Sequence, residues 1–562
     1  MRAVICSINS NYIHMSPAPY CLLAGLRAYG GEGISAEIVE GTVNEGDGAL
    51  WQRILEKQPD VLSFCCYIWN IEMVCRLGRM IKRQRPEMVL ILGGPEVGYR
   101  PAAFFEGETW VDFVVSGEGE YPFARLLSDL QAGKNPAGSD GICGRGPDGT
   151  VLTAPPYISN EDPPSPYTQD YLERLKGRIA YLETSRGCPY SCAFCLSGRC
   201  GGVRFFDLEQ TKKKMLLLAN SGAKTVKLVD RTFNAHRQRA REIFSFLIRR
   251  YGKEIPAGVR FHFEIAGDIL DDKTMEVLRT APRGAIQFEI GMQSFHERTL
   301  EKIRRRTDTD ALCRNIRRLV EFGNIHIHLD LIAGLPLEDL ACFAEGFDKG
   351  FFLRPHMLQL GFLKLLYGSP MRENREEYPC TAAAAPPYQV LETPWISRKE
   401  MEGLSRMEAV FDRVFHSGRF RGTVEYVLTA TGKRPFVLFW EMGQQIKPEG
   451  VALDGLTEML YRWFSGLPGI EQGRLRDVMA EDRIKSDRSG YLPKVLRIPD
   501  SRLKRAKRWM QARQPCPPET KRGAALLYSR EEAMFCDYTV PDPVTGEYPV
   551  RRIPFAAMGL SR

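Results

Sequence analysis

Thr184-Ser185-Arg186-Gly187-Cys188-Pro189-Tyr190-Ser191-Cys192-Ala193-Phe194-Cys195 sets three thiols at Cys-x3-Cys-x2-Cys spacing, directly after a stretch from Tyr181 to Thr184 that reads as a strand. Thiolates are the usual protein ligands of iron–sulfur clusters, and a short loop wraps a cubane only if its thiols lie this close together. Gly187 and Pro189 suit the turn that brings backbone near such a cluster. Three ligands leave one iron of a 4Fe-4S cubane open. A zinc site would need a fourth ligand, and Cys200 is the one thiol close by.

Outward from this loop, apolar runs alternate with helical patterns. Downstream, Tyr181–Thr184, Thr225–Val229, Arg260–Ile265, Ala285–Ile290, His326–Ile332 and Met357–Leu363 read as six strands of a partial (βα)6 barrel over 176–370. Upstream, Ala3–Ile8, Ala36–Val39, Val61–Cys66, Met88–Leu92 and Val111–Val115 predict a doubly wound parallel sheet over 1–135, so the chain as a whole is α/β. In such sheets ligands bind outside the carboxyl ends of the strands. Residues 136–175, rich in Gly and Pro, read as a linker, and 371–562 as a mostly α-helical extension.

With 562 residues, several cores are expected at about 150 residues per domain. Apolar residues at 44% and charged residues at 26% are the balance of a globular chain, and no apolar run is long enough to span a bilayer. The net charge of +8, from 77 basic and 69 acidic residues, is too small to argue for nucleic acid by itself. The polar turn after Met1–Cys6 is unlike a signal peptide, so a cytoplasmic location is expected. Fifteen cysteines then read as reduced, with most of them small core hydrophobes.

Cys-x3-Cys-x-Phe-Cys after the first strand of a βα series resembles the defining motif of the radical S-adenosylmethionine (SAM) superfamily. The resemblance implies that Cys188, Cys192 and Cys195 hold a 4Fe-4S cluster, whose open iron chelates SAM and whose electron cleaves it to methionine and a 5′-deoxyadenosyl radical. It also implies SAM contacts from Phe194, packing near the adenine, and from Asp230, on the amino group at the second strand's end. Glu289 and Gln293 would follow on the fourth-strand motif that meets the ribose, and Gly334 at the adenine after the fifth strand. Arg305 would pair with the SAM carboxylate, a role suited to a bidentate guanidinium, although Arg304 and Arg306 compete for it. His326, His328 and Asp330 share one face of the fifth strand, where a second metal and a set of satisfied core groups are both open readings.

Leu92-Gly93-Gly94-Pro95-Glu96-Val97 and Val114-Val115-Ser116-Gly117-Glu118-Gly119-Glu120 are similar to the strand ends of the cobalamin-binding domain that precedes the barrel in one radical SAM subgroup. The contacts this implies are Asn11, Tyr12, Tyr67, Trp69, Gly93, Gly94, Gly117 and Glu118. The Asp-x-His-x-x-Gly signature that supplies a lower cobalt ligand is absent, and His14 is the domain's one histidine, so neither base nor histidine is expected below cobalt. A doubly wound domain without this cofactor is the alternative.

The resemblance implies a methyltransferase that passes a methyl group from methylcobalamin to a carbon or phosphorus centre of a small-molecule or peptide substrate. Its electron donor would be a flavodoxin or ferredoxin. Rearrangement, cyclisation or oxidation without methyl transfer is the alternative within the enzyme class, and a non-catalytic iron–sulfur electron carrier or sensor the alternative outside it. The basic stretch Arg502–Met510 reads as a docked helix with a solvated face, and neither a membrane nor a nucleic-acid partner is expected.

Overall fold

The computed structural model describes residues 1–200, 202–516 and 520–560. The first sheet runs β1 (Arg2–Asn9), β2 (Ser35–Thr42), β3 (Val61–Cys65), β4 (Val89–Gly93), β5 (Phe113–Val115), β6 (Ile142–Arg145) and β7 (Val151–Leu152). Its spatial order is β2-β1-β3-β4-β5-β6-β7, with the first five strands parallel. Separate apolar clusters cover the two faces, one around Leu62, Phe64 and Leu90, the other around Ile5, Ile91 and Phe123. That double burial is why these strands read as continuous apolar runs.

The sheet does not stop where the sequence suggests. β6 and β7 lie in the stretch read as linker and add antiparallel to β5, so the sheet is mixed. Their brevity and the glycines and prolines around them hide them from a pattern reading, and they cover what would otherwise be an open edge. The rest of the segment folds back over the strand ends, with Tyr157 bridging to Gly117 and Tyr167 Oη donating to Tyr181 O at 3.0 Å.

The barrel comprises β8 (Ile179–Leu182), then β9 (Ser185–Gly187) and β10 (Val203–Phe205), which pair antiparallel at the thiol loop. It continues with β11 (Thr225–Leu228), β12 (Arg260–Ile265), β13 (Ile286–Gln293), β14 (His326–Ala333) and β15 (Met357–Phe362). The six barrel strands are parallel, in the order β15-β14-β13-β12-β11-β8. Every outward position is apolar and buried, for example Phe261, Phe263, Phe288 and Ile290. The alternate positions, which face the lumen, carry Lys227, His262, Glu264, Glu289, His328 and Asp330.

Beyond the hairpin β16 (Thr381–Ala382) and β17 (Val390–Glu392), the extension is mostly helical. Phe411, Phe415 and Phe439 on its helices continue the barrel's core through Phe347 and Phe351. His416 Nε2 and an Arg421 guanidinium bond to Leu358 O and His356 O, so the exposed edge of β15 is covered. The chain then adds an antiparallel sheet of β18 (Arg522–Leu527), β19 (Glu532–Asp537) and β20 (Val550–Pro554). The helix Ser501–Arg513 docks on that sheet through Leu503, Ala506, Trp509 and Met510, with its basic side to solvent. None of the helices among the described residues is long and apolar enough to cross a membrane.

Candidate functional site

The thiol loop is held from behind. Asp230, at the end of the second barrel strand, is 1% exposed, and accepts from Thr184 N at 3.1 Å, Thr184 Oγ1 at 2.7 Å and Ser185 Oγ at 2.5 Å. Burial pushes its carboxyl up to about 6 despite those bonds. The sequence reading gave Asp230 to the SAM amino group; its carboxylate is instead committed to the segment that leads into the loop. Ala193 N donates to Ile303 O at 2.9 Å, and Met371 N donates to Ala193 O at 3.0 Å, which pins the middle of the loop. Cys195 N closes a turn on Cys192 O at 3.0 Å, and Cys188 Sγ lies 3.4 Å from Thr232 Oγ1. Cys200 ends a 3-10 turn, Ser197–Cys200, and its side chain lies outside the described residues.

Beside the thiols the three arginines separate. Arg304 turns outward towards Glu377 at 3.4 Å, and Arg306 is exposed. Arg305 alone turns in, with Nη1 at 3.9 Å from Cys192 Sγ and Nη2 donating to Gly291 O at 2.5 Å. Its Nε is buried without a partner, as is Oε1 of Gln293 at the end of β13. Two orphaned polar atoms next to a three-thiol loop are what a polar ligand there would satisfy. Phe194 packs against the apolar cluster of Leu335, Leu363 and Val390, and Val390 together with Met401 of the extension also approaches Gly334. Glu289, by contrast, lies deeper in the lumen than Gln293. It is 2.7 Å from His262 Nε2 and 3.1 Å from Lys227 Nζ, and these partners outweigh burial and bring its carboxyl down to about 2.

The rest of the lumen is equally polar. Glu264 lies 3.7 Å from Lys227 and 3.8 Å from Arg231, and His328 Nε2 lies 3.0 Å from Asp330 Oδ1 without the alignment of a hydrogen bond. Among the described residues no three His, Cys, Asp or Glu side chains converge on a point as a mononuclear metal site requires. His326 belongs elsewhere, at the N-terminal rim, where its Nδ1 is 2.8 Å from Val544 O and Arg260 donates to Pro543 O at 3.0 Å.

Near the end of β13, Ser294 Oγ donates to Glu338 Oε1 at 2.5 Å, while Glu338 Oε2 is buried without a partner. Burial raises this carboxyl from its ordinary 4.5 to about 7. A raised acid binds a proton more tightly folded than unfolded, so the fold loses about 3 kcal/mol as pH rises from 4.5 to 7. Glu338→Gln is expected to remove that loss, so that its thermal midpoint exceeds the wild type's at pH 8 and not at pH 4.5.

The strand ends of the first sheet meet the barrel at a cavity of about 350 Å³. Tyr67, Gly93, Gly94, Gly117 and Glu118 line it from the sheet, Tyr181, Glu183, Arg186 and Val229 from the barrel, and Pro163, Pro164 and Tyr167 close it. A wider cleft of about 1460 Å³ adjoins it, sharing Gly94, Gly117, Glu118 and Arg186, and runs to Leu196 and Arg199 of the thiol loop. Tyr67 and Trp69 stack at 4.4 Å between ring centres. Asn11 and Tyr12, expected at this crevice, are not in it. Their loop docks instead on the start of β8, where Ile179 N donates to Ile13 O, Arg178 donates to Tyr12 O and His14 Nδ1 sits 2.5 Å from Tyr181 Oη. The sheet's glycine turns therefore face one space with the two flanks of the thiol loop, Ser185, Arg186 and Gly187 before the cysteines and Leu196, Ser197 and Arg199 after them.

Residues 182–348 match the radical SAM superfamily, 19–127 the B12 binding domain, and 376–521 a protein family of unknown function, DUF4080. The chain is a cobalamin-binding radical SAM protein with a distinct C-terminal extension. Its cofactors are a 4Fe-4S cluster, SAM and cobalamin. Among curated relatives of this radical SAM protein, the 2-(S-pantetheinyl)-carbapenam-3-carboxylate methyltransferase of Streptantibioticus cattleyicolor is 29% identical over 51% of the chain and 44% of the relative. The cobalamin-dependent radical SAM methyltransferase TokK of Streptomyces tokunonensis is also 29% identical, over the same shares. The chain thus spans less than half the length of either. The solved cobalamin-dependent SAM radical enzyme OxsB, with aqua-cobalamin and SAM bound, shares the fold at a TM-score of 0.60 and 15% identity, over 86% of this chain and 78% of its own.

Lys227, His262 and Glu264 of the polar lumen, and Glu183 beside Arg186, did not stand out in sequence. Period-2 polar positions on β11, β12 and β14 were the available signal, and it is easily mistaken for a solvated face.

Proposed function

We propose that this protein transfers a methyl group to a carbon or phosphorus centre of a small-molecule or peptide substrate, by cobalamin-dependent radical SAM chemistry. The observation that carries this reading is the shared space, walled on one side by the glycine turns of β4 and β5 and on the other by the thiol loop. When bound, the cluster supplies one-electron cleavage of SAM and the cobalamin a transferable methyl group.

Cys188, Cys192 and Cys195 are the cluster ligands in this reading. Arg305 receives the SAM carboxylate through its free Nε, Gln293 accepts from the ligand's polar edge, and Phe194 and Gly334 flank the adenine. Tyr67, with Trp69 stacked on it outside the cavity lining, faces the corrin together with Gly93, Gly94 and Gly117. Lys227, Glu264, His328 and Asp330 hold a polar substrate in the lumen, where their incomplete pairing leaves donors and acceptors open. A low-potential protein such as a flavodoxin or ferredoxin supplies the electron. The two methyltransferase relatives support the reaction type.

The test is anaerobic incubation of reconstituted protein with SAM carrying a deuterated methyl group, a reductant, and an extract of small molecules. Formation of 5′-deoxyadenosine together with a product three mass units heavier than its unlabelled counterpart is the expected outcome. 5′-Deoxyadenosine with no labelled product would replace methyl transfer by rearrangement, cyclisation or oxidation. Arg305→Ala is expected to weaken SAM binding by about 1.5–3 kcal/mol, tenfold or more, read by equilibrium dialysis. An unchanged affinity would take the carboxylate away from Arg305.

A further inference from the structure

Arg186 sits on β9, two residues before Cys188. Its guanidinium spends its donors on three carboxylates. Nη1 donates to Glu118 at 2.5 Å, Nη2 to Glu120 at 2.6 Å, and Nε and Nη2 both donate to Glu183 at 2.9 Å. Arg204, which faces Arg186 across the β9–β10 pair, adds a bond from Nη2 to Glu118 at 2.8 Å. Glu183 and both arginines belong to the barrel, and Glu118 and Glu120 to the turn after β5. The knot therefore ties the loop that carries the thiols to the loop that lines the cavity.

The surroundings make these strong bonds. The side chains of Glu118, Glu120 and Arg186 are between 9% and 17% exposed, and burial raises Glu183 above the usual carboxylate range. Three carboxylates against two guanidinium groups leave the cluster one negative charge over, so each arginine is needed to hold the others in place. A planar fork can satisfy three carboxylates at fixed angles where an ammonium cannot.

General docking of the two domains does not depend on this knot. Arg178 bonds to Glu40 at 2.8 Å, His14 to Tyr181, and Tyr388 Oη donates to Glu96 at 2.8 Å, all away from Arg186. What the knot fixes is the thiol loop relative to the turn after β5, with Arg186 supplying most of its bonds and Arg204 one more.

We propose that Arg186 is a positioning residue that, with Glu118 and Glu120, sets the distance and orientation between the iron–sulfur cluster and cobalamin. The inference rests on the site reading above, in which cobalamin lies against the β4 and β5 turns. It also reassigns Glu118 from a corrin contact to an anchor for the thiol loop.

The test is paramagnetic resonance of protein carrying cob(II)alamin and the reduced cluster, where dipolar coupling between the two spins reports their separation. Wild type is expected to show one resolved splitting. Arg186→Gln should keep both cofactors by iron count and cobalamin absorbance, yet lose that single splitting, and Arg186→Lys should restore it incompletely. Glu118→Gln with Glu120→Gln, on the other domain and far in sequence from the cysteines, should lose it as well, so the inference stays testable if Arg186→Gln does not fold. Adding Arg186→Gln to that pair should change nothing further. An unaltered splitting in either cofactor-loaded variant overturns the proposal, as does a cofactor-loaded wild type with no splitting. A wild type that takes up no cobalamin overturns the site reading on which it rests.

Discussion

Replacing any one of Cys188, Cys192 and Cys195 with alanine is expected to abolish the 4Fe-4S cluster, while Cys200→Ala leaves iron content and visible absorbance at the wild-type level. The three thiols share one loop whose backbone is fixed independently of any ligand, through Ala193 to Ile303 and Met371, and through Thr184 and Ser185 to Asp230. The scaffold is therefore built before the cluster arrives, and removing one thiolate leaves two ligands on a rigid loop whose Cys-x3-Cys-x2-Cys spacing holds no fourth thiol. Cys200 ends the Ser197–Cys200 turn and lies outside the Cys-x3-Cys-x2-Cys spacing. Iron and sulfide counts on anaerobically reconstituted variants check the outcome. Cluster loss on Cys200→Ala, or retention after loss of any of the other three, would reassign the ligands. The circular dichroism of each apo variant should match the wild type, because the bonds of Ala193, Thr184 and Ser185 that pin the loop involve no thiol.

The strands of both α/β units were legible because each buried strand is an apolar or alternating run long enough to stand out, and because a helix separates each from the next. Position 305 was legible from a motif, but the choice among three adjacent arginines came from the backbone. Arg304 takes a positive φ of 58° and turns away, which leaves Arg305 to turn in. Asp230 and Glu118 show the opposite limit. Both were read as cofactor contacts from the family resemblance of their motifs, yet each is engaged by residues distant in sequence, Asp230 by Thr184 and Ser185, Glu118 by Arg186 and Arg204. Long-range pairing of this kind leaves no periodicity in the chain. The strands β6 and β7 escaped for a local reason: with four and two residues among glycines and prolines, they carry too little pattern to register.

The glycine turns of the first domain give the second large effect, and Gly93 is the glycine that tests it. Gly94 has a φ of 114°, and a Cβ there would meet Cys66 O at 2.4 Å; at Gly117, with a φ of 88°, it would meet Tyr157 O at 2.2 Å. Both glycines are demanded by the chain's own close approaches, so a side chain at either damages the turn whether or not cobalamin binds. Gly93 differs. It lines the cavity, and a Cβ built on it meets nothing nearer than Val115 O at 3.7 Å, an ordinary contact. It ends β4, where a β-branched residue suits the backbone. Gly93→Val is accordingly expected to fold with wild-type circular dichroism and a full 4Fe-4S cluster, yet to take up less than a tenth of the hydroxocobalamin bound by wild type, because its branched side chain projects into a cavity of about 350 Å³. His14→Ala, whose native imidazole is held by Tyr181 at the start of β8, should bind a full equivalent and leave the cob(II)alamin resonance unchanged. Stoichiometric uptake by Gly93→Val would move the corrin out of this cavity. A nitrogen splitting in wild type that vanishes in His14→Ala would keep the cofactor and put a histidine beneath the cobalt.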